Sequence, residues 1–326
     1  MKKILCCLLG TLGMFAHASD APKHSTLTEG EIETIAEDFN FTEGPVWTGD
    51  KLIFSDIPGN TMYAYVPASK KMIQVFRKPS GKSNGLTLDL EGRLLACEHW
   101  NRRVSITKKD GTVETLVDSY DGKKLNSPND IIVHSSGAIY FTDPPYGLEK
   151  REKEQPVNGV YRISPDGKIQ RLPTEIENLN PNGLAFSPDE KKLYINASRW
   201  GRNALHTVHV FDVKDDGTLE NEREFCQVDV PDGMVVDEDG RLYVASKLGV
   251  AVFAPSGEHI ETIAFPMQPA NVTFGDNDFK TLYVTAKKGL YKLGMKTKGI
   301  VPGNRPGEKL DLKNDPIKLK KQEENK

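Results

Sequence analysis

Cysteine is scarce: the chain has four in 326 residues, and Cys6 and Cys7 sit in an apolar leader. The other two, Cys97 and Cys226, fall in different repeats, so no disulfide framework holds the fold, and both are expected as free thiols acting as small apolar residues. Positive charge is not in excess. Lys and Arg total 43 against 46 Asp and Glu, a formal net charge of -3, and no basic block precedes the C-terminal tail. Nucleic acid is therefore not an expected partner. Outside the leader no apolar run approaches the roughly 18 residues that a membrane span needs, so no membrane partner is expected. A 3.6-residue apolar period is also missing, which argues against a helical solenoid. No paired-cysteine or His-x-x-x-His pattern supports zinc, and His206 and His209 form an isolated pair that reads as strand decoration.

What is present begins with that leader. Lys2 and Lys3 precede an apolar run over 4–16, and Ala16-His17-Ala18 supplies the small residues of a cleavage site. Residues 1–18 read as a signal peptide cut before Ser19, which sends the protein to the periplasm or out of the cell. The remaining 308 residues carry a formal charge of -5 and suffice for one large domain. The expected organisation is an N-terminal extension over 19–30, a repeat domain over 31–300, and a charged tail over 301–326 without periodicity, expected to be disordered.

The domain is a repeat. A polar residue, usually followed by Gly, opens an apolar strand, a turn follows, and a second strand rich in Leu, Tyr and Val returns. The six openers are Glu43, Asn84, Asn129, Asn182, Asp232 and Asn271, at intervals of 41, 45, 53, 50 and 39 residues. Asp-Gly pairs at 110–111, 121–122, 166–167, 216–217 and 239–240 supply turns. Several short strands per 40–50-residue unit, six times over, specify an all-β, six-bladed β-propeller. A strand over 31–39 precedes the first repeat while the last repeat is short. The N-terminal strand is therefore expected to complete the last blade and close the ring.

Equivalent slots in a propeller lie at one height around its axis. The openers thus gather two carboxylates and four amides at one mouth. A second polar set follows each opener by about 13–14 residues: Asp56, Glu98 with His99, Asp143, Ser198, Ser246 and Thr285. Asn-Gly and Asp-Gly are common turn openers, but Glu43 is no turn former and holds the same slot. Converging oxygen donors with net negative charge call for a hard cation, and an amide-rich, irregular set suits Ca²⁺ better than Mg²⁺. The sequons at Asn196 and Asn271 are expected to face the channel or inner strands, where a glycan does not fit.

At these residues the chain resembles a known family. Phe41-Thr42-Glu43-Gly44-Pro45-Val46-Trp47, Cys97-Glu98-His99-Trp100-Asn101-Arg102-Arg103-Val104, Ser127-Pro128-Asn129-Asp130, Phe141-Thr142-Asp143-Pro144-Pro145-Tyr146-Gly147, Pro181-Asn182-Gly183-Leu184 and Pro231-Asp232-Gly233-Met234 are similar to the gluconolactonase/regucalcin propellers. The likeness to diisopropylfluorophosphatase and paraoxonase is more distant. The resemblance implies a calcium-dependent hydrolase of lactones. It places metal ligands at Glu43, Asn182 and Asp232, with Asn129 as a fourth ligand or substrate contact, and gives Asp232 the proton-transfer role or, as argued for related enzymes, that of nucleophile. Two residues depart from the pattern: Trp100, where bacterial relatives commonly have Gly, and Ser127, where animal members carry a substrate-contacting Arg.

The chemistry follows from these roles. Asp232 accepts a proton from the attacking water, Asn129 orients the carbonyl through its amide N–H, and Asn84 is a weaker candidate for that task. His99, Trp100, Ser127 and Asp143 are expected at the substrate rim, while Asp130 is expected to point away and be structural. Two other readings stand beside lactone hydrolysis. One is hydrolysis of a different ester (acyl lactone, aryl ester or organophosphate), favoured by the bulk of Trp100. The other is a non-enzymatic binding scaffold, against which the Glu43, Asn129, Asn182, Asp232 set speaks.

Overall fold

The computed structural model describes residues 27–69, 72–199 and 204–300. The signal peptide expected over 1–18 and the tail over 301–326 lie outside the described residues, as does most of the extension expected over 19–30. No helix among the described residues is long and apolar enough to cross a membrane.

Six four-stranded antiparallel sheets form the six blades of a propeller. Their innermost strands are Thr42–Trp47, Ser83–Leu88, Ile131–Val133, Asn180–Phe186, Met234–Val236 and Asn271–Gly275. The second strands Leu52–Asp56, Leu94–Glu98, Ile139–Asp143 and Leu242–Ser246 are buried at all five positions. Each is covered on both faces by neighbouring blades, so its first three residues are all apolar; an outermost strand such as His259–Ile263 is largely exposed.

The core lies between blades rather than within one. Ile53 and Met62 of blade 1 pack on Leu86 and Leu94 of blade 2. Leu95 and Cys97 meet Phe141 and Tyr161 of blade 3, and Tyr140 meets Leu184 and Phe211 of blade 4. Tyr194 meets Leu242 of blade 5, and Tyr243 meets Phe274 of blade 6. Trp47 and Tyr283 complete the circle, stacked at 5.6 Å with planes 9° apart.

Closure is made by both ends of the described chain. Thr28–Ala36 pairs antiparallel with Gly289–Met295 as the outermost strand of blade 6, with Thr34 opposite Tyr291. This strand starts at Thr28, inside the stretch expected as an extension. Thr42 then ties blade 1 to blade 6: its Oγ1 donates to Gly289 O at 2.7 Å and its N–H to Lys287 O at 2.6 Å. The Asp121-Gly122 turn makes an additional hairpin, Ser119–Tyr120 with Lys123–Lys124, between blades 2 and 3. Both residues have positive φ, 51° and 73°, as a type I′ turn requires. Cys97 and Cys226 are free; Cys97 is buried and Cys226 only partly so.

Candidate active site

The opener–glycine phrase has a steric cause. At the axis the inner strands of successive blades touch: a Cβ on Gly183 would sit 2.2 Å from Asp232 O, and one on Gly233 would sit 2.0 Å from Asn271 Cγ. Gly85 N–H donates to Asn129 O and Gly233 N–H to Ala270 O, both at 2.8 Å, so each blade is fastened to the next at this point. The polar side chains before the glycines then meet around the axis.

They form a connected arc. Asn84 Nδ2 donates to Asn129 Oδ1 at 2.6 Å, and Asn129 Nδ2 donates to Asn182 Oδ1 at 2.5 Å. Asn182 hydrogen-bonds Asp232, and Asp232 lies within charge contact of Glu43. His99 joins from the turn just after the second strand of blade 2, its Nε2 3.2 Å from Asn129 Oδ1 and 3.3 Å from Asn84 Nδ2. Burial lowers the His99 pKa to about 4, so the ring is neutral at physiological pH. Glu43, Asn84, His99 and Asn129 are buried, while Asn182 and Asp232 keep some exposure. Asn196 is buried and donates to Asp232 O, which fixes that backbone and leaves no room for a glycan at its sequon.

Charge at the axis is unbalanced. Burial, aided by the charges of Asp232 and Asp130, pushes Glu43 well above the usual carboxylate range. Burial, with the Asp130 charge added, raises Asp232 to about 8, and burial raises Asp130 to about 7. Asn271 hydrogen-bonds both Glu43 and Asp130 and partly offsets this, but no lysine or arginine among the described residues does. Buried acids without a cationic partner are costly unless protonated or neutralised by an ion. No three His, Cys, Asp or Glu among the described residues lie close enough to form a metal site alone, so amide oxygens must complete any ligand set. Glu43, Asp232, Asn129 and Asn182 offer oxygen donors of the kind that Ca²⁺ takes.

Asp130 differs from its sequence expectation. Its carboxylate accepts from Ile131 N–H at 3.0 Å and lines the channel beneath the arc, close enough to act on both Glu43 and Asp232. The signal lay in the repeat itself, since blade 3 carries Asp where blades 1, 2, 4 and 5 carry Gly. Below it runs a channel of about 330 Å³ lined mainly by apolar residues such as Val46, Leu86, Ile132, Leu184 and Val272.

Much of the second polar set turns away from the axis. Asp56 accepts from Phe41 N–H and Asn40 Nδ2, and Glu98 accepts from Arg77, Arg103 and Ser105. Two rim assignments are corrected here. Asp143 Oδ2 accepts from Asn126 N–H at 2.7 Å, and its carboxylate organises that loop. Ser127 is fully buried; its Oγ donates to Pro144 O at 2.6 Å and accepts from Gly147 N–H at 2.8 Å, so its hydroxyl is consumed between two loops. Trp100 is 49% exposed and does not join the arc. Its ring is flanked by Lys82 Nζ at 5.2 Å and Arg151 Cζ at 4.8 Å from the centroid. Arg151 also donates to Gly147 O at 2.6 Å and His99 O at 3.2 Å, holding the two rim loops together.

Asp143 carries a pH consequence. Burial raises it from 3.8 to about 7, so between those values the folded chain keeps a proton that the unfolded chain has released. Stability from this group is thus lost as pH rises through about 7. Urea unfolding at pH 5 and pH 8 should show a smaller drop for Asp143→Asn than for the wild type, because an amide keeps the acceptor without titrating. Equal drops would remove Asp143 as a source of the pH dependence.

Fold and site together define a class: six-bladed propellers with one carboxylate–amide cluster at the mouth of the axis. The family description SMP-30/Gluconolactonase/LRE-like region matches residues 41–288, and the chain belongs to that family. It is 37% identical over 302 residues to the gluconolactonase of Zymomonas mobilis, covering 82% of each protein. A regucalcin of Xenopus laevis is 27% identical, with 82% of this chain and 95% of that protein covered. Among solved structures, a gluconolactonase from Xanthomonas campestris superposes with a TM-score of 0.74 at 35% identity, covering 81% of this chain and 89% of that one. These relationships support lactone hydrolysis.

Proposed function

We propose that the protein is a calcium-dependent lactonase acting on sugar lactones, with Asp232 as the base. The observation carrying this reading is the junction of Asp232 with Glu43, Asn182 and Asn129 at one partly open end of the axis. Glu43, Asn129, Asn182 and Asp232 would hold the ion. Bound calcium supplies Lewis-acid polarisation of the lactone carbonyl. The chain's residues do the rest. Asp232, the more exposed carboxylate, takes the proton of the attacking water. Asn129, braced by Asn84 and His99, orients the substrate carbonyl through its amide, and neutral His99 keeps that amide in place without adding charge. The leader over 1–18 supports export to the periplasm or beyond as part of the same reading.

Assays of sugar lactones, acyl lactones and aryl esters, each with calcium and with excess chelator, test the proposal. Sugar lactones should be opened only when calcium is present. Turnover that survives complete chelation would exclude the metal, and selective turnover of acyl lactones or aryl esters would exclude the sugar-lactone assignment. Inactivity on the whole panel would support a binding scaffold.

A further inference from the structure

Blades 1 and 2 enclose a second cavity, of about 410 Å³, whose wall includes Asn60, Arg77, Ser80, Trp100, Asn101 and Arg103. Glu98 is the sole acid among the described residues of that lining, and it is shared by two guanidinium groups: Arg77 Nη2 at 3.2 Å and Arg103 Nε at 2.8 Å. Ser105 Oγ donates to the same carboxylate at 2.6 Å. One negative charge therefore faces two positive ones, leaving the wall with one uncompensated positive charge. Arg77 is also short of acceptors. Its Nε has no hydrogen-bond partner among the described residues, and its contacts to Thr107 Oγ1 and Ser80 O are long, at 3.4 Å each. A buried cationic donor in that state favours an anion. Trp100, 49% exposed, supplies an aromatic wall that Lys82 and Arg151 cover in part. The preceding residue, His99, has its ring in the axial arc, so the cavity begins one residue from the candidate active site.

The geometry points to a binding site for a small sugar acid, its carboxylate held by Arg77 and Arg103 and its carbon skeleton lying against Trp100. The net positive charge of the wall suits an anionic group such as a carboxylate. The carbon face of a polyhydroxy chain also suits an indole wall better than a bare inorganic ion does. On the lactonase reading, the ring-opened product is a molecule of this class, and the cavity is where product is retained near the mouth.

The test is calorimetric titration of the full chain, in chelator, with D-gluconate, sorbitol and inorganic phosphate. Because metal and turnover play no part, its outcome is separable from that of the hydrolysis assays. Gluconate should bind and sorbitol should not. Arg103→Gln should weaken gluconate by about tenfold or more, and Trp100→Ala should weaken it while leaving the fold intact. These two positions are partly exposed, so they keep the test valid even if Arg77→Gln fails to fold. Absence of gluconate binding, equal binding of sorbitol or phosphate, or affinity unchanged in Arg103→Gln would each overturn the assignment. Loss of binding in Glu43→Gln with retention in Arg103→Gln would overturn it as well, by placing the acid at the axis.

Discussion

Asp232→Asn should lower lactone hydrolysis by at least about a hundredfold with the propeller intact, the scale expected for loss of a general base. The backbone at this position is held independently of the carboxylate. Asp232 N–H donates to Ala245 O at 2.9 Å, and Asn196 donates to the Asp232 carbonyl. An amide of the same shape therefore keeps the local structure and loses the proton acceptor. Stability supplies an independent readout. Asp232 rises from 3.8 to about 8 on folding, so in chelated protein its contribution to stability is lost as pH climbs through that range. The Asn variant should escape this loss and unfold at higher urea than wild type above pH 8. Unchanged kcat in the variant would remove Asp232 as the base, whatever its effect on stability.

The second large effect concerns calcium. An ion that binds only the folded chain stabilises it by mass action, so added Ca²⁺ should raise the melting temperature of the wild type. Glu43→Gln should reduce calcium affinity by about a hundredfold, since on the proposed ligand set it would remove one of two charged donors from a set otherwise made of amides. Glutamine retains an oxygen to accept from Gly44 N–H, the bond that Glu43 Oε2 makes at 2.9 Å, so the strand is not expected to unravel. Titration calorimetry would decide it: equal calcium affinity in variant and wild type strikes Glu43 from the ligand set.

The blade count and the ring closure were legible because they follow from spacing. Six openers at 39–53-residue intervals fix six sheets, and a short last repeat leaves a place for the strand before the first. The gathering of Glu43, Asn129, Asn182 and Asp232 was legible for the same reason, since equivalent slots share one height. Side-chain direction was not. Asp143 and Ser127 lie in loops whose course is set by contacts such as Asn126 N–H to Asp143 and Gly147 N–H to Ser127, and no periodicity encodes those. The arginine cavity was hidden for another reason. Arg77 and Arg103 belong to different blades and meet only across their interface, so nothing local in the sequence marks them as neighbours. Asp130 was the exception: a break in the repeat, it was expected to point away, yet it lines the channel beneath the arc.

The last sheet joins the earliest described strand to the latest, with Glu33 registered opposite Lys292. On a ribosome or a translocon, residues 28–36 emerge first and have no partner until nearly the whole domain has followed. Assembly of the circle is therefore a terminal event, reached only through contacts of very long sequence separation and correspondingly slow. Deletions that reach into Thr28–Ala36 or into Gly289–Met295 damage the same sheet, so the two should share one phenotype.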